Sequence, residues 1–165
     1  MVGAPKGARA AFFALLATSV VGGAGCDELD PETAELRMAC VDADSDPAKS
    51  VVFATDIRPL MNGDVQGIKG CKGCHYAGDT AGSREGFLQT NLDLTKLRTI
   101  RLGGRNTPPD RIVVAGKPCS SALVQKLQGT FGDARMPRGG PFWEPAQIQL
   151  VIDWIAEGAR GGDEE

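Results

Sequence analysis

The chain has 165 residues, which accommodates one ordinary domain with an appended segment and excludes a large multidomain enzyme. Its composition, 42% hydrophobic and 24% charged, is that of a chain that folds. The 18 basic and 21 acidic residues give a net charge of −3, so the basic excess that nucleic-acid-binding domains carry is missing. These values predict one folded domain and no nucleic-acid partner.

The N-terminal residues have the layout of an export signal. Lys6 and Arg9 precede an uncharged run at residues 10–25, and no acidic residue occurs before Asp27. The run is 16 residues long, whereas a membrane-spanning helix needs about 20. We therefore expect residues 1–25 to be a signal peptide and the protein to lie in the periplasm or otherwise outside the cytoplasm.

Cys26 follows directly after the small residues 23–25. This arrangement resembles the lipobox of bacterial lipoproteins, although Gly23 stands where Leu or Val is usual. A lipidated Cys26 would associate the protein with a membrane. The alternative is a plainly cleaved signal that leaves Cys26 unmodified.

The rest of the chain divides by charge into two parts. Residues 27–49 contain eight acidic and two basic residues, so residues 26–49 are predicted to form a flexible acidic tether. Residues 50–165 contain 14 basic and 13 acidic residues and form the predicted folded domain. Its first helix is expected at residues 51–61, where the apolar spacing is amphipathic, and Asn62-Gly63 is a stop signal.

Residues 71–75 read CKGCH, the pattern to which c-type haem is attached. Two thiols three residues apart on a helical turn can each form a thioether with one of the two vinyl groups of the haem. His75 directly after Cys74 then presents a ring nitrogen to the iron. Cys71, Cys74 and His75 are therefore the candidate ligands of one covalently bound haem c.

Three other interpretations of CKGCH are possible, and each has a physical argument against it. A zinc site would need two further ligands, and the sequence has no second cysteine or histidine pair. A thioredoxin-like dithiol would follow a hydrophobic strand, which residues 62–70 do not resemble. A disulfide across such a short spacing is strained and leaves His75 without a role.

The second iron ligand is expected to be a methionine, because His75 is the only histidine in the chain. Met38, Met61 and Met136 are the candidates. Met136 is favoured because Pro137 and the two glycines after Arg138 would let its loop pass close to a flat ring.

Two further helices are predicted beyond the motif. A short helix falls around residues 94–102, and the C-terminal helix begins at Pro145 and ends at Gly158. One face of the latter is apolar: Ile148, Val151, Ile152, Ile155 and Ala159. No apolar alternation is long enough to predict a sheet. The fold class is therefore mainly α, with three to five helices and long loops wrapped around the haem. The haem would add core surface to a chain with only 6 Phe, 2 Trp and 1 Tyr.

From about residue 51 to residue 159 the chain resembles the class-I-type monohaem cytochrome c domains of exported bacterial proteins, especially planctomycete and myxobacterial lipoproteins. CKGCH is the most specific matching piece. The other pieces follow in the same order: Phe53, residues 56–60, Leu92-Asp93-Leu94, Gly103-Gly104, residues 114–123, Met136-Pro137 and residues 148–159. The resemblance implies a cytochrome c-like fold with crossed terminal helices beside the haem and a middle helix near residues 121–129. It also implies His75 and Met136 as the iron ligands; Cys119 departs from the pattern.

Cys40 and Cys119 remain after the lipid and haem positions are assigned. An oxidising compartment favours a disulfide between them, which would pin the tether to the domain. Two free thiols are the alternative.

With both axial positions filled, no substrate reaches the iron, and the chemistry left is transfer of one electron. We therefore expect an electron-transfer protein and not an enzyme, working between redox protein partners. Two alternatives stay open: a haem-based sensor or enzyme whose sixth ligand is displaceable, and a lipoprotein binding module without redox work. Four basic residues would form a rim that steers an acidic partner or else pairs with the haem propionates: Lys69, Lys72, Arg135 and Arg138.

Overall fold

The computed structural model describes residues 39–165, which fold into short helices joined by long loops. In chain order the helical elements are a π-helical turn at Phe53–Ile57, α1 at Arg58–Asn62, α2 at Lys72–His75, α3 at Glu85–Thr90, α4 at Leu97–Leu102, a 3₁₀ turn at Pro118–Ser120, α5 at Ala122–Gln128 and α6 at Pro145–Ala156. The part described contains no strand, only an isolated bridge between Gly104 and Thr107. The prediction of a mainly α fold is confirmed.

The first helical segment lies where the amphipathic pattern predicted it. The π-helical turn runs directly into α1, and their apolar side chains are buried in the core: Phe53, Ile57, Leu60 and Met61. The helix ends at Gly63, whose φ of 78° is left-handed and whose amide donates to the Leu60 carbonyl. A glycine takes this conformation without strain, which explains why Asn62-Gly63 ends the helix.

The C-terminal helix α6 begins at Pro145, and Gly158 follows its end, as predicted. Glu144 precedes it in a capping box, in which the Glu144 amide donates to the Gln147 side chain. Its predicted apolar face is buried, and Trp154 on the same helix is 0% exposed. The Trp154 and Phe53 rings lie 4.9 Å apart between centroids, so the first and last helical segments pack together.

The middle of the chain contains more helices than expected. The helices α4 and α5 lie inside the predicted ranges 94–102 and 121–129. The six α-helices within residues 39–165 exceed the predicted three to five, mainly because the sequence does not predict α3. No residue of α3 is fully buried, so it has no apolar face that a sequence pattern could reveal.

The end of the acidic segment lies against the domain. Cys40 is disulfide-bonded to Cys119, as expected, and the Cys119 amide donates to the Asp42 side chain over 2.8 Å. Farther along, the backbone amide and the hydroxyl of Ser45 donate to the buried carboxylate of Asp153 over 2.9 and 2.7 Å. This last part of the segment is therefore attached to the folded domain by covalent and polar contacts.

Replacing both Cys40 and Cys119 with serine is expected to lower the free energy of unfolding by about 4 kcal/mol, because the cross-link closes a long loop in the unfolded chain. The sequence separation of the two cysteines is 79 residues. Urea unfolding monitored by circular dichroism measures the loss, and reductant should destabilise the wild-type protein equally while leaving the double variant unchanged. A double variant as stable as the oxidised protein would contradict the expectation.

No helix within residues 39–165 has the length and apolar character to cross a membrane. The predicted signal peptide and Cys26 lie outside the residues that the structure describes.

Candidate functional site

The CKGCH motif forms one helical turn. Cys71 precedes α2, and its carbonyl accepts hydrogen bonds from the amides of Cys74 and His75 over 3.2 and 2.8 Å. Both motif cysteines are free thiols and are partly exposed. The structure therefore places Cys71, Cys74 and His75 on a single turn, the arrangement that attachment of two neighbouring thiols to one ring requires.

The end of α1 holds the start of the motif by close backbone contact. The Cys71 amide donates to the Met61 carbonyl over 2.6 Å. A Cβ atom on Gly70 would lie 2.3 Å from the amide nitrogen of Gly63 and 2.5 Å from the Met61 carbonyl oxygen. Only glycine fits this approach, so the loop between α1 and α2 depends on its glycines.

The imidazole of His75 packs directly against α3. A Cβ atom on Gly86 would lie 2.5 Å from Cε1 and 2.6 Å from Nε2 of the ring, so the missing side chain at Gly86 provides the space that the ring uses. The carbonyl of His75 accepts a hydrogen bond from the Leu94 amide over 2.9 Å. Neither Gly86 nor α3 was singled out from the sequence, because a lone glycine carries no motif.

Burial of the His75 ring and a nearby cation lower its pKa and so favour the neutral imidazole. Burial lowers its pKa, an interaction with the Leu92 backbone opposes part of that effect, and the charge of Lys126 lowers the pKa further. The ring atom Nδ1 is enclosed and makes no hydrogen bond of acceptable geometry, so the Leu92 interaction is a weak one. Neutral imidazole is the form that binds metal ions.

Replacing Gly86 with alanine is expected to destabilise the protein by about 1–3 kcal/mol, because the new methyl group overlaps the imidazole and the ring or α3 must move. Gly73→Ala is the matched control, since a Cβ atom there has no neighbour within 4 Å. Urea unfolding of the two variants gives the comparison. Equal stability of both variants would show that the contact between Gly86 and His75 constrains nothing.

Met136 lies beside α5 in the loop that precedes α6. Its amide donates to the carbonyl of Lys126 over 2.9 Å, and its side chain is partly buried. The charge of Lys126 is also one of the causes that lower the pKa of His75. Met61, by contrast, is 1% exposed within the core, and Met38 lies outside the described residues.

Two hydrogen bonds join the loop after Met136 to Lys69, which lies two residues before Cys71. The Lys69 amine donates to the Arg138 carbonyl over 2.7 Å, and the Trp143 indole donates to the Lys69 carbonyl over 2.9 Å. The loop that carries Met136 and the motif that carries His75 are therefore neighbours in the fold.

The predicted basic rim is wrong in one of its four members. Arg135 is only 6% exposed; it donates through Nε to the Leu127 carbonyl over 2.8 Å and lies 4.4 Å from the centroid of the Phe142 ring. It is held inside the protein by these contacts and does not face a partner. Lys69, Lys72 and Arg138 are exposed and make up what we call the basic rim below.

The chemistry of the cysteines does not match a zinc site or a redox dithiol. Within residues 39–165 no three His, Cys, Asp or Glu side chains cluster as metal ligands. Burial raises the pKa of the Cys71 thiol to about 12, with the charge of Arg58 opposing the rise. A reactive dithiol has a lowered pKa instead. The two thiols are also not bonded to each other, so they stay available for another use.

Two clefts open on the surface of the described part. One of about 400 Å³ lies next to α2 and is lined by Lys72, Tyr76, Gly78, Asp79, Thr80 and Thr95. The other, of about 180 Å³, lies between α4 and the end of α6. Neither His75 nor Met136 lines either cleft.

Comparisons with models of known protein families, with curated proteins and with solved structures find no match.

Proposed function

We propose that this protein is an exported c-type cytochrome that carries one electron at a time between redox protein partners. In this proposal Cys71 and Cys74 would bind one haem c covalently, and His75 and Met136 would be the ligands of its iron. The observation that carries the proposal is the helical turn at CKGCH, with two free thiols and the imidazole of His75 packed on Gly86. The finer fold assignment, a cytochrome c-like arrangement around the haem, belongs to the same proposal.

The donor set fits haem c and its electron transfer. Haem c, when bound, supplies a reversible one-electron couple at its iron. His75 offers a neutral ring nitrogen, and Met136 offers a thioether, a soft ligand that favours the ferrous state and raises the reduction potential relative to a second histidine. With both positions occupied by side chains, the protein transfers electrons without binding a substrate at the metal, which is why we propose a carrier and not an enzyme.

The setting of the protein follows from its N-terminal residues. Export through the signal at residues 1–25 would place it in the periplasm or otherwise outside the cytoplasm. A lipid on Cys26 would then keep it at a membrane. The disulfide between Cys40 and Cys119 agrees with an oxidising compartment.

The decisive experiment is a spectrum of the full-length protein expressed together with haem c maturation proteins. A pyridine haemochrome with one haem per chain, retained after denaturation, is the expected result, and intact mass should rise by one haem. Colourless protein of unmodified mass would refute the proposal. That result would favour the alternative of a lipoprotein binding module without redox work.

The basic rim is expected to steer anionic redox partners to the haem. Replacing Lys72 or Arg138 with glutamate should slow oxidation of the ferrous protein by hexacyanoferrate(III) several-fold at low ionic strength, with the difference fading as salt rises. Arg160→Glu is the control, since Arg160 is exposed beyond α6. Stopped-flow absorbance measures the rates. Equal slowing by all three substitutions would mean that only net charge matters and that the rim has no steering role.

A further inference from the structure

Arg58, the first residue of α1, has one guanidinium nitrogen that is buried and makes no hydrogen bond. Its NH1 atom donates to the Tyr76 hydroxyl over 2.9 Å and to the Leu94 carbonyl over 3.2 Å. Its NH2 atom is enclosed and has no hydrogen-bond partner. A buried donor of a charged group is seldom left without a partner, because its desolvation is costly. Such a group therefore calls for an explanation.

The partners of Arg58 are the residues that fix the position of His75. Tyr76 directly follows His75, and its hydroxyl donates to the Asn62 side chain over 2.7 Å. The amide of Leu94 donates to the His75 carbonyl over 2.9 Å. One guanidinium thus joins α1 both to the residue after His75 and to the segment that holds its carbonyl.

The charge of Arg58 has no counter-ion among residues 39–165. The ion pairs found there involve other cations: Lys96, Arg98, Arg101 and Lys126. The Arg58 guanidinium lies instead over the Phe53 ring, 4.7 Å from its centroid, and 6.0 Å from that of Tyr76. Aromatic faces attract the cation without cancelling its charge.

We propose that Arg58 is a positioning residue for the haem site and that its positive charge, which no carboxylate side chain among residues 39–165 pairs with, raises the reduction potential of the protein. This inference rests on the proposed function. Reduction of a bound haem would lower the positive charge of the site held by His75 and Met136, and a fixed cation nearby would favour that reduced state. Because Arg58 is partly buried, water screens it less than it screens an exposed arginine.

The test measures the midpoint potential of the haem-loaded protein by spectroelectrochemical titration, with haem content determined first. Arg58→Gln, which keeps donor groups and removes the charge, should lower the potential. Arg58→Lys, which keeps the charge, should have a potential close to that of the wild-type protein. Arg101→Gln is the matched control, since Arg101 is paired with Asp163 at the surface and should leave the potential unchanged. An unchanged potential in Arg58→Gln with full haem content would overturn the inference while leaving the proposed function intact.

A second variant keeps the test decisive where Arg58→Gln does not fold. Asn62→Asp keeps the acceptor for the Tyr76 hydroxyl and places a carboxylate beside the network of Arg58, at the cost of the exposed hydrogen bond from the Asn62 amide to Asp64. It should lower the potential by partly compensating the arginine charge, and a potential equal to that of the wild-type protein would count against the inference. Absence of haem from the wild-type protein would overturn this inference together with the proposed function.

Discussion

Replacing both Cys71 and Cys74 with serine is expected to leave the chain without any covalently bound haem. A thioether needs a thiol, and a serine hydroxyl at the same place on the turn does not form one. Each single replacement should leave at most one attachment and a reduced haem yield. Haem staining after denaturing electrophoresis, the pyridine haemochrome and intact mass all report the outcome.

The other pair of cysteines gives this experiment its control. Cys40→Ser together with Cys119→Ser also removes two sulfur atoms, but these two form the disulfide and lie outside the motif. That variant should lose stability and keep one haem per chain. Haem retained by the variant without Cys71 and Cys74, or lost equally by both variants, would show that the motif is not the attachment site.

Replacing Met136 with alanine is expected to open the sixth coordination position. The methyl group of alanine cannot reach the iron, and the loop should keep its place because the contact with Lys126 is made by the backbone amide of residue 136. Carbon monoxide binding to the ferrous protein should change from undetectable to stoichiometric. The potential should fall as the thioether is lost. Visible spectra under carbon monoxide measure the first effect directly.

Met61→Leu is the control for this substitution. Met61 is buried in the core, and leucine has a similar volume, so the change should cost little stability and should not admit carbon monoxide. A wild-type protein that already binds carbon monoxide as readily as Met136→Ala would contradict the electron-carrier proposal. That result would favour the sensor or enzyme alternative, in which the sixth ligand is displaceable.

Local patterns in the sequence were enough to predict the helices at the two ends of the domain. The helix α6 combines a proline at its start, a glycine after its end and apolar residues on one face, and each of these signals acts within a few residues. The CKGCH motif is similarly local. The disulfide was predictable for another reason: two cysteines remain once the expected lipid and haem positions are assigned, and the expected oxidising compartment favours pairing them.

The surroundings of His75 were not predictable, because they depend on contacts between distant parts of the chain. Gly86 is important only because the ring of His75, eleven positions earlier in the sequence, lies on it. The short helix α3 has no buried face to mark it in the sequence. A single sequence shows a glycine in a polar stretch and no reason for it.

Arg135 was misjudged for a related reason. Basic residues are usually exposed, so its place next to Met136 suggested a surface role. The structure instead covers it with the Phe142 ring and bonds it to a carbonyl of α5. Arg58 is a similar case, since the role proposed for it depends on its hydrogen bonds to Tyr76 and Leu94, which follow the motif in the sequence.

The bond between Cys40 and Cys119 also sets how far the domain can move from a membrane. If Cys26 carries the proposed lipid, the segment that links the lipid to the disulfide at Cys40 is 14 residues long. Fully extended, it reaches at most about 50 Å. Electron exchange would then be limited to partners that meet the domain at the same bilayer. Reduction of the bond would lengthen the linking segment only where the contacts of Asp42 and Ser45 with the domain also open.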